Sequence, residues 1–176
     1  MADRIEWLIN IYCISLYGAD KLRVGCSVEA KEAGDLDEII ASKPQILARL
    51  MAEKAKEKKA YAEYCAKLDA ITGLKELQTA IDDLNLWHEE YEASFAECGG
   101  LGVRPKPIYD LEAMRKKFPR AAAYLKAQSY SRAASWAKAS AGKEAAEAIL
   151  NGEDYEQAIA KMEGKWDEYC TAHIWD

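Results

Sequence analysis

The sequence lacks the short motifs by which many enzymes, nucleotide-binding proteins and small metal-binding domains are recognised. Its five cysteines are odd in number, lie far apart and form no C-x-x-C pair. This pattern favours reduced thiols in a cytosol over a disulfide framework or a zinc knuckle. The stretch with Gly100 and Gly102 lacks the third glycine of a dinucleotide-binding fingerprint and the Gly-Lys-Ser/Thr of a P-loop.

Motifs for nucleophilic or metal-assisted catalysis are also missing. No G-x-S-x-G occurs, and no cysteine has an obvious neighbouring base. The segment WHEEYE around His88 lacks the second histidine of H-E-x-x-H, and His88 with Glu92 is too small a ligand set for a metal. We therefore predict a protein that is not an enzyme, with no catalytic residues, no cofactor and no bound metal.

Long apolar runs and a recognisable leader are absent as well. The longest apolar-rich stretch, residues 5–17, is too short and too interrupted to span a bilayer. Acidic Asp3 and Glu6 accompany the N-terminal apolar residues, and no small-residue cleavage site follows them. We expect a cytoplasmic protein that does not bind membranes.

Basic residues are not in excess, but they are concentrated. The formal charge of −6 argues against a general affinity for nucleic acid. Residues 72–97 carry one basic and seven acidic side chains, residues 98–143 carry ten and two, and residues 144–176 carry two and nine. Blocks of opposite sign can complement each other inside one fold, or each can contact a partner.

The N-terminal 34 residues show a period of two. Leu22, Val24, Cys26 and Val28 alternate with polar residues or glycine, and Gly18 to Lys21 are suited to a turn. An earlier alternating series consists of Ile5, Trp7, Ile9, Ile11 and Cys13. We predict a β-hairpin over 1–34, although residues 5–17 also fit a buried helix.

From residue 35 onward the helical period dominates. Residues 35–98 predict two helices joined at Gly73, and their apolar residues are spaced alternately four and three apart, which favours an antiparallel coiled-coil hairpin. The seam predicted for these two helices consists of Leu47, Met51, Lys54, Lys58, Tyr61, Cys65, Leu68, Leu74, Leu77, Ile81, Leu84, His88, Tyr91, Phe95 and Cys98. A polar layer of His88 near Lys58 is expected to fix the register.

The remaining residues predict a Gly/Pro loop over 99–109 and a small helical bundle over 110–176. Asp110 begins a short helix that ends before Phe118-Pro119, and the next helix runs to Gly142. Asp154 with Gln157 caps the last helix, and His173 is placed to interact with its C-terminus. The fold class is thus α+β, mostly helical, in a single domain over 1–176.

The stretch YLKAQSYSRAASWAKASAG, residues 124–142, combines aromatic and basic residues. Its three rings are six residues apart, which turns successive rings by −120° on a helix, so they share no face with one another or with the cations. We interpret the segment as a central helix that is contacted on several sides, with Ala and Ser allowing close approach.

Two charged sets are candidates for partner binding. A basic set could bind a phosphate backbone or an acidic protein surface, and an acidic set could imitate the phosphates of a duplex. The basic set is Arg104, Lys106, Arg115, Lys116, Lys117, Arg120 and Arg132. The acidic alternative is Asp82, Asp83, Glu89, Glu90, Glu92 and Glu97.

Several segments resemble small proteins carried by phages and other mobile genetic elements of gut bacteria. They are GVRPKPIYDLEAM (102–114), FPRAAAYLKAQS (118–129), SAGKEAAEAILNGEDYEQAIAKMEGKW (140–166) and HIWD (173–176). Residues 68–98 fit the same group more loosely, and the first 65 or so residues do not contribute. The resemblance extends to anti-CRISPR proteins that inhibit Cas9 by binding it, but it transfers no functional residue.

Three functional hypotheses follow. The first is a non-enzymatic anti-CRISPR that binds the Cas9–guide RNA complex in a bacterial host cell and blocks target-DNA binding or cleavage. The second is direct nucleic-acid binding through residues 104–132. The third is a structural protein that self-associates, for instance as a homodimer.

Overall fold

The computed structural model describes residues 3–18, 20–98 and 103–173, which form two compact units, Met1–Tyr64 and Cys65–Asp176. The predicted class, α+β and mostly helical, is confirmed. The single-domain organisation stays a prediction. Gly100 and Gly102 of the predicted loop lie outside the described residues.

The first unit contains short elements followed by most of a long helix. These are α1 (Arg4–Ile11), β1 (Ser15–Tyr17), β2 (Lys21–Arg23), α2 (Ser27–Glu32), α3 (Leu36–Ala41) and the first part of α4 (Lys43–Asp69).

The predicted hairpin is present but shorter than expected. β1 and β2 are antiparallel, Tyr17 pairs with Lys21, and Gly18 has the positive φ (75°) of the predicted turn. Residues 4–11 are helical instead, so the helical alternative is correct for that part. The side chain of Asp3 caps α1 by accepting a hydrogen bond from the backbone N–H of Ile5 at 3.1 Å.

The predicted second strand ends early because its backbone turns toward α1. The N–H groups of Gly25 and Cys26 both donate to the carbonyl oxygen of Tyr12, at 3.0 and 3.2 Å. Val28 therefore lies on α2, where its side chain is exposed. The prediction of a strand through Val28 is wrong.

A small apolar core holds the first unit together. It consists of Leu8, Tyr12, Ile14, Ala30, Ile39 and Ile46. At its edge, the Tyr12 hydroxyl donates to Asp35 at 2.6 Å, and the Arg4 guanidinium pairs with Asp35 at 2.8 Å and with Glu38 at 2.7 Å. These contacts connect α1 to the start of α3.

The two long helices form where predicted, but the seam on α4 is not buried. Met51 is 53% exposed and Tyr61 is 69% exposed. Lys54 and Lys58 occupy the same seam, and burying it would remove water from two ammonium groups. The coiled-coil pairing of the two helices stays a prediction, and His88 on α5 is exposed.

The second unit is a helical bundle. Its helices are α5 (Leu74–Cys98), α6 (Leu111–Lys117), α7 (Pro119–Ser131), α8 (Trp136–Leu150) and α9 (Tyr155–Ala172). The predicted cap of α9 is confirmed, because Asp154 accepts from the N–H of Gln157 at 2.8 Å. Asp110, predicted to begin α6, caps that helix by accepting from the N–H of Ala113 at 2.9 Å.

The segment predicted as one helix from Pro119 to Gly142 is divided into α7 and α8. The two helices pack so closely that a Cβ at Gly142 would overlap the backbone of Ser131. The chain reverses over residues 132–135, where Ser135 is extended. Sequence reasoning missed this turn because it contains neither glycine nor proline.

α7 is the central helix of the bundle, as predicted, since it packs against α5, α8 and α9. Its core positions are mainly alanine, and Tyr124 is buried among them. Tyr130 is half-buried, whereas Trp136 at the start of α8 is 83% exposed. The three rings thus have three different environments, but the rotation calculated for one continuous helix does not apply to Trp136, which lies on α8.

Candidate functional site

Residues 103–110 form neither helix nor strand and lie along one face of α5. The indole N–H of Trp87 donates to the carbonyl oxygen of Arg104 at 2.8 Å, and the Tyr109 hydroxyl donates to Asp83 at 2.6 Å. Arg104 pairs with Glu90 at 2.9 Å. Because Asp83, Trp87 and Glu90 are four and three residues apart, they share one helix face and fix the segment at both ends.

This arrangement brings members of the two charged sets together. Arg104 of the basic set pairs with Glu90 of the acidic set, and Lys106 lies 5.8 Å from the Trp87 ring centroid. The Asp83 carboxylate accepts the hydrogen bond of Tyr109 and, with burial, raises the pKa of that hydroxyl. Opposite charges therefore complement each other here, as the block pattern allowed.

The rest of the basic set does not form a single patch. Arg120 is half-buried and donates to the carbonyl oxygen of Ile149 at the end of α8, which is a structural contact. Lys116 pairs with Glu112 at 2.7 Å, and Lys117 lies 5.0 Å from the ring of Phe118.

Arg115 and Arg132 line a groove between α5, α7 and α9. Its volume is about 920 Å³. Apolar side chains on the three helices, including Leu77, Leu125 and Ile159, line it. Lys126 and Glu163 pair across it at 2.5 Å. Such a mixed lining does not indicate a particular ligand.

The acidic set is spread along α5. Asp82 accepts a hydrogen bond from Gln78 at 2.7 Å, within the first half of the helix. Glu89, Glu92 and Glu97 are exposed in the second half. The second half is thus the part that presents carboxylates to solvent.

The same half of α5 carries a ladder of aromatic rings. Trp87 stacks on Tyr91, with centroids 5.1 Å apart, and Tyr91 contacts Phe95 at 4.6 Å. Phe95 is 52% exposed, and Tyr91 is also exposed. Ile108 on the adjoining segment is fully exposed.

These residues form one mixed surface. We call it the α5–loop surface and define it as Trp87, Glu90, Tyr91, Glu92, Phe95, Arg104, Lys106 and Ile108. It is the outer continuation of the seam predicted on α5, whose first turns, with Leu74 and Leu77, are buried in the bundle. Past the bundle, the seam is exposed.

The two histidines differ in environment. His88 is exposed beside Trp87, with ring centroids 4.9 Å apart. His173 stacks on Tyr169, and its Nδ1 lies 2.8 Å from the Tyr169 carbonyl oxygen, so the predicted contact with the end of α9 is confirmed. Among residues 3–18, 20–98 and 103–173, no three His, Cys, Asp or Glu side chains are grouped so that they could hold a metal ion.

A second aromatic cluster lies on α7, α8 and α9. The Lys138 ammonium is 4.5 Å from the ring centroid of Tyr130 and 5.1 Å from that of Trp166. Trp166 in turn stacks on Tyr169 at 5.6 Å. Here the rings and the cation serve packing between helices.

Comparison with known proteins gives no relative. No family model matches the chain, and no curated protein or solved structure is significantly similar to it. In the part of the chain that the structure describes, none of the helices is both long and apolar enough to cross a membrane.

Sequence reasoning missed two elements of the α5–loop surface. Ile108 stands alone between polar and proline residues, so no periodicity marks it as part of a surface. Trp87 was outside the seam of the predicted coiled coil. The four-residue spacing of Trp87, Tyr91 and Phe95 is the sequence signal from which a ring ladder could have been predicted.

Proposed function

We propose that this chain is a non-enzymatic binding protein that inhibits a Cas9–guide RNA complex, with the α5–loop surface as its contact. The observation that carries the binding role is the exposed ladder of Tyr91 and Phe95, which continues a buried seam beyond the end of the bundle. Exposed contiguous apolar side chains with a charged rim are typical of protein-interaction surfaces.

The ladder is suited to binding because it is already ordered. Tyr91 is held between Trp87 and Phe95, and Trp87 is fixed by its hydrogen bond to the backbone of Arg104. Side chains that are ordered before binding lose less conformational entropy when a partner arrives. Aromatic and arginine side chains are also the residues that most often dominate binding energy.

The choice of a Cas9 complex as partner rests on the resemblance to anti-CRISPR proteins. Charge supports it. Glu92, which is three residues before Phe95 on the helix, adds an exposed carboxylate beside the ladder, and Cas9-type effectors hold nucleic acid in a positively charged channel. We therefore assign the contact to the acidic set, with the basic channel of the effector as the complementary surface.

A cleavage assay tests this function. Purified chain is titrated into Cas9–guide RNA from several orthologues before target DNA is added, and we expect inhibition that saturates at one chain per complex. Unchanged cleavage by all orthologues at a large excess of chain contradicts the proposal.

Capture from a lysate that contains a type II effector separates the rival functions. Capture of Cas9 that survives nuclease supports the proposed protein contact. Capture that disappears with nuclease, together with binding to nucleic acid that falls steeply as salt rises, supports direct binding through residues 104–132 instead. A dimer in light scattering, with no capture of either, supports self-association.

A further inference from the structure

Two of the five cysteines, Cys13 and Cys26, are neighbours in the first unit. Cys13 follows α1, and Cys26 precedes α2. The N–H of Cys26 donates to the carbonyl oxygen of Tyr12 at 3.2 Å, next to the bond from Gly25 at 3.0 Å. A disulfide requires Cα atoms roughly 4.4–6.8 Å apart, and this shared acceptor holds the two segments at the distance of neighbouring strands.

The side chains also approach each other. A Cβ at Gly25 would lie 3.0 Å from the Cβ of Cys13, so the absence of a side chain at Gly25 leaves the space in which Cys13 is accommodated. The Cys13 thiol donates to the carbonyl oxygen of Asn10 at 3.9 Å. Cys13 is also close enough to Cys26 to add to the effect of burial in raising the pKa of the Cys26 thiol. Neither cysteine is in a disulfide in this structure.

The backbone at Cys13 is in a conformation that glycine prefers. Its φ is 49°, and the N–H of Ile14 donates to the carbonyl oxygen of Ile9 at 2.9 Å. This is the C-terminal helix motif in which the residue after the cap is left-handed and is usually glycine. A cysteine there is unfavourable for the backbone, because a side chain at positive φ is strained.

We infer that Cys13 and Cys26 are a reversible modification site, at which a low-molecular-weight disulfide such as glutathione disulfide oxidises the pair to an intramolecular disulfide. The Cys13 thiolate attacks one sulfur of glutathione disulfide, and one glutathione thiolate leaves. The Cys26 thiolate then attacks the Cys13 sulfur of the mixed disulfide, and the second glutathione leaves. The two protein thiols lose two protons and two electrons in total, and two reduced glutathiones carry them away.

The environments of the two thiols assign the order of the steps. Cys13 is exposed, so it meets the oxidant. Cys26 packs against the core of the first unit, and burial, with the nearby Cys13 and Glu29, raises the pKa of its thiol. Cys26 is therefore the slower nucleophile and acts in the second step.

Peptide mapping of the native, full-length chain tests the inference. The chain is incubated in glutathione buffers of increasing oxidised fraction, quenched with an alkylating agent and digested with trypsin, which cuts after Lys21 and Arg23 and so separates the two cysteines. We expect residues 5–21 linked to residues 24–31, with a loss of two hydrogens that reduction reverses. The double variant Cys65→Ser/Cys170→Ser should give the same linked peptide.

Two results would overturn it. One is full alkylation of both Cys13 and Cys26 under conditions that oxidise a reference dithiol. The other is a stable glutathione adduct on Cys13 in the wild-type chain with no linked peptide. The variant Cys26→Ser supplies the matched signature, because it should accumulate that adduct at Cys13 and the wild-type chain should not.

Discussion

The indole N–H of Trp87 and the carbonyl oxygen of Arg104 are 2.8 Å apart, although the residues are 17 positions apart in the sequence. This hydrogen bond fixes a segment without helix or strand to the second half of α5. It also orients the first ring of the aromatic ladder, on which Tyr91 stacks. The same hydrogen bond therefore orders both the loop and the aromatic ladder of the surface that we propose for binding.

We expect Trp87→Phe to release the segment while leaving the bundle folded. Phenylalanine keeps a ring but cannot donate to Arg104, and a hydrogen bond of this type contributes about 0.5–1.5 kcal/mol. Limited chymotrypsin digestion should therefore cleave faster after Tyr109, which lies in the released segment, with circular dichroism unchanged. Trp136→Phe, at an exposed ring without this bond, is the control. Equal cleavage rates in the two variants would show that Trp87 does not hold the segment.

Gly142→Ala should destabilise the second unit. A Cβ at this position overlaps the backbone of Ser131 on α7, and overpacking of this kind typically costs about 1–3 kcal/mol. Gly164→Ala in α9 is the matched control, because nothing lies within 4 Å of its added Cβ. That control should stabilise the helix by roughly 0.5–1 kcal/mol. Denaturant unfolding measures the free energy of unfolding of both variants. If Gly142→Ala and Gly164→Ala change it in the same direction, the close packing of α7 on α8 is refuted.

Arg120→Ala should lower stability without weakening partner binding. The guanidinium donates to the Ile149 carbonyl oxygen, and a bond from a charged donor contributes roughly 1.5–3 kcal/mol. Arg115→Ala, with no ion pair among the described residues, should change the free energy of unfolding by less than about 0.5 kcal/mol. If Arg120→Ala leaves the unfolding midpoint unchanged but abolishes inhibition, Arg120 is a binding residue.

Asp35 should make stability depend on pH in the acidic range. The hydrogen bond from Tyr12, together with the Arg4 guanidinium, lowers the pKa of Asp35 below its ordinary value of 3.8. A lowered pKa in the folded state gives stabilisation that is complete above the unfolded pKa and is lost as pH falls through the folded one. Unfolding free energy between about pH 5 and pH 2 should therefore fall less steeply in Asp35→Asn than in the wild type. Asp37→Asn, on the exposed side of α3, is the control, and a wild-type slope in Asp35→Asn would contradict the assignment.

The sequence predicted those features that depend on neighbours a few residues away. The caps at Asp110 and Asp154 join atoms three residues apart, and the turn at Gly18 needs only a residue tolerant of positive φ. The N-terminal helix was ambiguous because Ile5 and Ile9 satisfy a helical spacing while also belonging to an alternating series. In short apolar runs, periodicity alone cannot distinguish a helix from a strand.

The candidate site was predicted only in part. Charge blocks indicated that Arg104 and Glu90 belong to complementary segments, but no local pattern pairs them. The heptad spacing correctly marked Tyr91 and Phe95 as apolar positions, yet it assigned them to a buried seam. Whether a stripe is buried depends on where the bundle ends, which is a property of tertiary packing.

The most direct measurement is inhibition of target-DNA cleavage by the double variant Tyr91→Ala/Phe95→Ala, compared with wild type and with Trp136→Ala. All three should be folded by circular dichroism, because these side chains are exposed. Loss of a central aromatic contact costs about 2 kcal/mol, so we expect a roughly 30-fold higher inhibitory concentration for the double variant than for the wild type. We expect the inhibitory concentration of Trp136→Ala to equal that of the wild type. Equal inhibition by all three proteins, or no inhibition by the wild type, would contradict a binding role for the α5–loop surface.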